Sequence, residues 1–254
     1  MIKLGATPVR FVRSLGLLCS VFLLAGCAFW RSGESENPPQ QVLRQLPLQF
    51  NAQDKSQWQA MRLPGKLLTA YRVDKQGPKN ALLAEAASSA SMLRQALHIP
   101  PSQLGALQFD WRVDQLIAAA DMRLRETEDS PVRLILVFEG DRQRFSTQNQ
   151  LLSELTLSLT GEPLPYATLM YVWCNDCPAE SVIVNPRTDR IRKMAVESGS
   201  ERVGQWLRYR RDIRTDFEKA FGEPPGALIG LAIMTDTDNT RSSTRAWYGP
   251  VRLE

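Results

Sequence analysis

The chain has 254 residues, with 31 Lys and Arg against 27 Asp and Glu and one histidine, giving a formal charge of +4 and an isoelectric point near 9.0. Three of the basic residues, Lys3, Arg10 and Arg13, stand among the first 26, which hold no acid, so the remainder carries 28 against 27, or +1. A nearly neutral body excludes a nucleic-acid footprint, which needs clustered excess positive charge.

The amino terminus, "MIKLGATPVRFVRSLGLLCSVFLLAGC", places a basic start before the apolar run Ser14–Leu24. That run is shorter than the ~20 residues that span a bilayer. It closes on Leu24-Ala25-Gly26-Cys27, which resembles the bacterial lipobox. The resemblance implies cleavage before Cys27 and acylation of its sulfur and its new amine. Ala28 follows, with no aspartate to signal retention at the inner membrane, so the expected location is the periplasmic face of the outer membrane. Residues 27–45, rich in Ser, Glu, Gln and Pro, suit a flexible tether. Residues 46–254 are expected to form one domain, and no internal repeat is visible.

Short strand-like runs follow in series: "KLLTAYRV", "ALLAEAA", "LQFDWRVDQ", "VRLILVF", "YATLMYVW", "SVIVNP", "IRKMAVE", "VGQWLRYR", "ALIGLAIM" and "AWYGPVRL". Several alternate: Phe109, Trp111 and Val113 point one way, and Asp110, Arg112 and Asp114 the other. Gly77-Pro78, Asn185-Pro186 and Gly249-Pro250 read as turns. Two helices interrupt the series. In "NQLLSELTLSLTG", Leu151, Leu152, Leu155 and Leu159 share a face and Gly161 is the stop. In "RDIRTDFEKAFG", Asp212 caps, Ile213, Phe217, Ala220 and Phe221 face inward, and Gly222 ends the helix. About ten strands and two short helices predict a mostly β fold, an antiparallel β-sandwich of jelly-roll type.

Three acidic clusters carry the candidate chemistry. Glu126, Glu128 and Asp129 precede Arg133; Arg211 stands with Asp212 and Asp216; and "TDTDNT" offers Asp236, Asp238 and Asn239. Glu126, Asp129, Arg133, Arg211, Asp236 and Asp238 are the candidate ligand-binding set. Alternate aspartates supply hard oxygen ligands, so Asp236, Asp238 and Asn239 are the candidate calcium ligands, although the loop lacks the glycine and distal glutamate of an EF-hand. The preferred reading is an Asx-rich turn between the last two strands, with no cofactor. Arg133 could as readily pair with a carboxylate as clamp a substrate. The rings of Trp111, Tyr171, Trp173, Trp206, Tyr209, Trp247 and Tyr248 are read first as core and second as a sugar-stacking face. No G-x-S-x-G accompanies the lone His98, and no G-x-G-x-x-G or P-loop is present.

Cys19 leaves with the signal and Cys27 takes the lipid, so Cys174 and Cys177 have only each other. In an oxidising compartment a structural disulfide is the first reading, with a redox pair and a metal site behind it.

Several segments together resemble the bacterial domain-of-unknown-function family numbered three-zero-four-seven: "AEAASSAS" (84–91), "FDWRV" (109–113), "DSPVRLILVF" (129–138), "LPYATLMYVW" (164–173), "WLRYRRDIRTDFEKAFGEPP" (206–225), "GLAIMTDTDNT" and "AWYGPVRL". The resemblance implies a secreted or periplasmic jelly-roll domain broadly similar to carbohydrate-binding modules, and it supplies no activity. The Cys-x-x-Cys after Trp173 departs from the family pattern. The expected function is a lipid-anchored envelope module that binds a glycan or a partner protein, with no nucleic acid. The alternative is a carboxylate-dependent hydrolase or lyase acting on envelope polysaccharide, since any two acids brought within about 5–9 Å could serve.

Overall fold

The computed structural model describes residues 46–51, 58–76 and 79–254, which all fall in one unit, Gln40–Glu254. The signal segment, Cys27, the tether and the Gly77-Pro78 turn lie outside the described residues. Thirteen strands and two α-helices are present among the described residues: β1 Leu48–Phe50, β2 Gln59–Arg62, β3 Ala70–Gln76, β4 Lys79–Ala87, β5 Ala90–Ile99, β6 Ala106–Val113, β7 Ser130–Phe138, α1 Thr147–Thr160, β8 Ala167–Cys174, β9 Val182–Asn185, β10 Thr188–Ser198, β11 Leu207–Asp212, α2 Ile213–Phe221, β12 Leu228–Asp236 and β13 Ser243–Leu253.

They form two sheets. One runs β11-β6-β13-β4-β3 with β1 added on β13; the other runs β2-β5-β12-β7-β8-β10-β9. Among the described strand-to-strand pairs β8–β10 is the parallel one, and an isolated parallel bridge joins Leu67 to Ser89. The chain passes repeatedly from sheet to sheet (β4 to β5, β5 to β6, β6 to β7, β12 to β13), so this is a mostly β sandwich of jelly-roll type with two short helices.

The alternating runs explain the core. Leu107, Phe109, Trp111 and Val113 of β6 face Val132, Leu134, Leu136 and Phe138 of β7 in one cluster, all essentially without solvent contact. Phe109 packs its ring 4.9 Å from Trp111, 5.3 Å from Tyr209 and 5.7 Å from Tyr171. Gly249-Pro250 is a correction to the sequence reading. It lies inside β13, where the register with β6 shifts between Tyr248 and Val251, a bulge that accommodates a residue with no amide proton. A Cβ at Gly249 would stand 2.9 Å from the Asp110 Cβ, so the close approach there requires glycine.

β5 was not anticipated. "ASMLRQALHI" is rich in helix formers, yet it forms a ten-residue strand paired to β12 on one side and β2 on the other. The helices start and stop where expected. Asp212 accepts from the Thr215 amide at 2.8 Å, and Gly161 and Gly222 take left-handed conformations with φ of 79° and 70°. α2 caps one end of the core, with Phe217 set 4.6 Å from Phe138.

Candidate functional site

Strands β7 and β12 lie side by side, and acidic residues collect at both of their ends. At the first end, β7 begins at Ser130 just after a 3-10 turn over Arg125–Thr127, and β12 finishes at Asp236. Asp129, Asp236 and Asp238 each bring a carboxylate oxygen within 4.8 Å of the others. Arg133 donates to both Asp236 oxygens, through Nε at 2.8 Å and Nη2 at 2.9 Å, and Nη2 also donates to the Glu128 carbonyl at 2.8 Å. The pair is almost sealed, with side-chain exposures of 3% and 6%. Burial pushes the Asp236 carboxyl up to about 6 against the pull of Arg133. Burial also works against the Arg133 charge, yet Asp236 and Glu128 outweigh it and raise its pKa.

The network continues. Glu128 accepts from Lys193 at 2.6 Å, Arg187 at 2.7 Å and Asn185 at 2.5 Å. Lys193 is fully buried and donates to the Met122 carbonyl at 2.8 Å; burial, then the Arg133 charge, brings its pKa down to about 8. Lys66 pairs with Asp238 at the rim.

The TDTDNT loop does connect the final two strands, but they are not neighbours: β12 lies in one sheet and β13 in the other. Its backbone donors are satisfied from elsewhere too. Asp129 accepts from the Asn239 amide at 3.2 Å and from the Thr240 amide and hydroxyl at 2.7 and 2.6 Å. Asp236 instead accepts from the Ser130 amide at 3.1 Å. A calcium ion among these carboxylates would have to displace Arg133 or Lys66, which already supply the positive charge, and take over oxygens that hold the loop.

The structure therefore brings Asp129, Arg133, Asp236, Asp238 and Asn239 together and leaves two of the expected residues out. Glu126 is exposed on its 3-10 turn and makes none of these hydrogen bonds. Arg211 is held by Asp216 and Glu180, each through two bonds of 2.7–2.8 Å, with the Tyr171 hydroxyl completing Asp216 at 2.8 Å. Five of the seven aromatic residues are withdrawn from any stacking face: Trp111, Tyr171 and Trp173 have no exposed surface, and Trp247 and Tyr248 are buried. Trp111, Tyr171, Trp173 and Tyr248 fill the sandwich with half-buried Tyr209 packed against them, while Trp247 forms a separate small cluster with Ala81, Leu83 and half-buried Trp206. Cys174 and Cys177 are joined to each other, with Cα atoms 5.8 Å apart, beside Met122, Val172 and Ile183.

At the other end of β7 and β12 lies an open cleft of about 390 Å³ that the sequence did not announce. Residues 139–144 form one wall, Glu223-Pro224-Pro225-Gly226 the other, and Tyr166 the floor. Arg190 lies 4.2 Å over the Tyr166 ring. A Cβ on Gly140 would meet that ring at 2.3 Å, and one on Gly226 would meet the Glu139 carbonyl at 2.0 Å, so both walls close only with glycine there. The Tyr166 hydroxyl donates to Glu223 at 2.8 Å, and Arg190 and Arg144 reach the same carboxylate at 3.1 and 3.3 Å. Burial opposes the Glu223 charge, but Tyr166 and Arg190 prevail and hold its pKa below the usual glutamate value. Glu139 and Asp141 sit on the exposed rim; Asp141 accepts from the Gln143 amide at 2.9 Å through one oxygen, and Glu139 is 3.6 Å from His98.

The family described as "Protein of unknown function (DUF3047)" matches residues 56–252. The chain belongs to this family. No curated protein matches it in sequence. Solved structures with a similar layout include a family 11 carbohydrate-binding module from Clostridium thermocellum in complex with a mixed-linked tetrasaccharide (8% identity, 82% of this chain and 94% of that one, TM-score 0.38). Another is a low-affinity xylan binding module from Roseburia intestinalis (12%, 83% and 96%, TM-score 0.33). A third is the xyloglucanase domain of an effector from Sinorhizobium fredii in complex with cellobiose (8%, 80% and 96%, TM-score 0.35). Scores this low are a likeness of layout, and no ligand is carried over from them.

Proposed function

We propose that this family member is a lipid-anchored envelope protein whose sandwich binds a glycan in the cleft between residues 139–144 and 223–226. The observation that supports the ligand class is the rim. Glu139 and Asp141 keep carboxylate oxygens facing solvent beside Arg144, over a floor whose own polar groups are already paired. Acceptor-rich walls around an arginine suit a neutral polyhydroxylated ligand, whose hydroxyls donate to carboxylates and accept from guanidinium. The volume suits a few sugar units rather than a polymer buried along its length.

Binding is preferred to hydrolysis on one point of electrostatics. A glycosidase needs a carboxyl kept protonated near neutral pH, and the most enclosed acid of the cleft, Glu223, is held ionised by Tyr166 and two arginines. The anchor and the outer-membrane location rest on the Leu24–Cys27 pattern and on Ala28.

Calorimetry with peptidoglycan-derived and plant-type oligosaccharides tests the ligand. At least one should bind, and Glu139→Ala and Asp141→Ala should each weaken it about tenfold, the scale of one lost charged hydrogen bond. Binding that survives both substitutions, or none across the panel, ends the glycan reading. Incorporation of labelled palmitate tests the anchor: Cys27→Ser should abolish it and leave uncleaved precursor.

A further inference from the structure

Helix α1 is built inside out. Its buried and half-buried positions are Asn149, Leu152, Ser153, Thr156 and Thr160, whereas Leu151, Leu155 and Leu159, one turn apart, are 62%, 54% and 59% exposed. Three of the inward polar groups are satisfied within the fold. Asn149 donates to Asp189 and accepts from the Thr188 hydroxyl, each at 2.7 Å, and the hydroxyls of Thr156 and Thr160 each return to the carbonyl four residues back, at 2.7 Å. The leucines are thus left for something outside the sandwich. α1 begins beside β10 and the chain just past its end reaches Arg94 of β5, which Glu162 grips at 2.6 and 2.7 Å. Fourteen residues make a helix of about 21 Å, and the four strand spacings from β10 to β5 come to about 19 Å. The helix therefore crosses the outer side of the larger sheet. On the same side, the loop carrying Met122 over Val172 exposes Leu124 by 54%.

We propose that α1 is an interfacial helix, laying Leu151, Leu155 and Leu159 into the surface of the bilayer that carries the Cys27 lipid. The proposal rests on the anchor part of the reading above and is independent of the cleft. Three observations favour a lipid surface over a second copy or another protein. The chain from the acylated Cys27 to Leu46 has 19 residues (27–45), which even fully extended reach no more than about 65 Å. It joins β1 at Leu48, paired with Leu253, at the same end of the sandwich where β7 gives way to α1 and α1 returns to β8. Glu154 is the only charged side chain of the helix, so nothing on it selects a protein partner by charge or repels neutral lipid. A few half-exposed leucines present a few hundred square ångströms, short of the roughly 600 Å² that each partner buries in even a small specific protein interface. Beside a membrane to which the chain is already tied, that area suffices, because the contact is then intramolecular. Too short to span, the helix lies on the surface.

The test uses the full lipidated protein in phosphatidylcholine vesicles, with a nitroxide on Leu155→Cys or, as reference, on Lys75→Cys at an exposed strand position of the other sheet. Collision with oxygen, which partitions into lipid, should exceed collision with a water-soluble nickel chelate several-fold more at position 155 than at 75. Adding phosphatidylglycerol should not change that ratio. If the protein floats with vesicles but the 155 label reads as aqueous, the helix inference falls while the anchor stands. If the chain carries no acyl group and does not float, the anchor reading fails by itself; an aqueous 155 label with excess vesicles would then overturn the helix proposal too. Spin–spin broadening at high lipid-to-protein ratio would assign the leucines to a second copy and also overturn it.

Discussion

The two ends of the β7–β12 pair carry similar acids and use them differently. At the Ser130–Asp236 end, Asp236 meets Arg133, Asp238 meets Lys66, Glu128 meets both Lys193 and Arg187, Asp129 is taken up by the Asn239 and Thr240 donors, and most of these groups are out of solvent. At the Phe138–Leu228 end, Glu223 is committed but Glu139 and Asp141 face an open cleft. The contrast shows that the number of carboxylates in a cluster says little about availability to a ligand. What counts is whether internal cations and amides have already taken their oxygens. A saturated buried cluster positions loops and fixes strand ends, and a partly committed one at a cleft can exchange water for ligand.

The largest way to break this contrast is Arg133→Met, which leaves Asp236 buried without its cation. It should cost about 3–5 kcal/mol in urea denaturation, and Asp236→Leu added to it should restore part of that. A loss below 1 kcal/mol would mean the buried pair does not hold this end of the sandwich. Asp129→Ala removes the acceptor of three donors on Asn239 and Thr240 and should cost about 2 kcal/mol, and calcium should leave the wild-type melting temperature unchanged. A calcium-dependent rise that the variant loses would reinstate a metal site.

The pH dependence sharpens the same comparison. Asp236 sits at about 6 in the fold against an ordinary 3.8, so between these values the folded chain holds more protons than the unfolded one. Its contribution to stability is therefore full below about pH 4 and declines as pH rises through about 6. Stability measured across that window in wild type and Asp236→Asn should lose this downward component in the variant, whatever the change in overall level. The smallest stability effect is expected in the cleft. Asp141→Ala should shift stability by less than about 0.5 kcal/mol while weakening ligand binding about tenfold. A large loss of stability would place Asp141 with the structural acids.

The sequence carried the strand alternation of β6, the Asp212 cap and the glycine stops of both helices, because each depends on side chains close in sequence or on a period of two. It misled on β5, whose Met92-Leu93-Arg94-Gln95-Ala96 favours a helix until β2 and β12 offer ladders on both sides. For α1 the leucine stripe was legible and its direction was not, since a period identifies a face without saying what that face meets. The cleft left only faint signals, the turn-forming Gly140 and Pro224-Pro225-Gly226, and these stand more than 80 residues apart until β7 and β12 pair.

Local chemistry was therefore enough to determine a two-sheet sandwich with two capped helices, because burial of alternating apolar residues leaves few other ways to fold such a chain. Which carboxylates are spent and which remain free was decided only by tertiary structure. Asp236 finds Arg133 across 103 positions, Glu128 finds Lys193 across two strands, and Asp141 finds no cation at all among the described residues. A hydrogen bond depends on a few ångströms in space, and spacing along the chain does not report that distance.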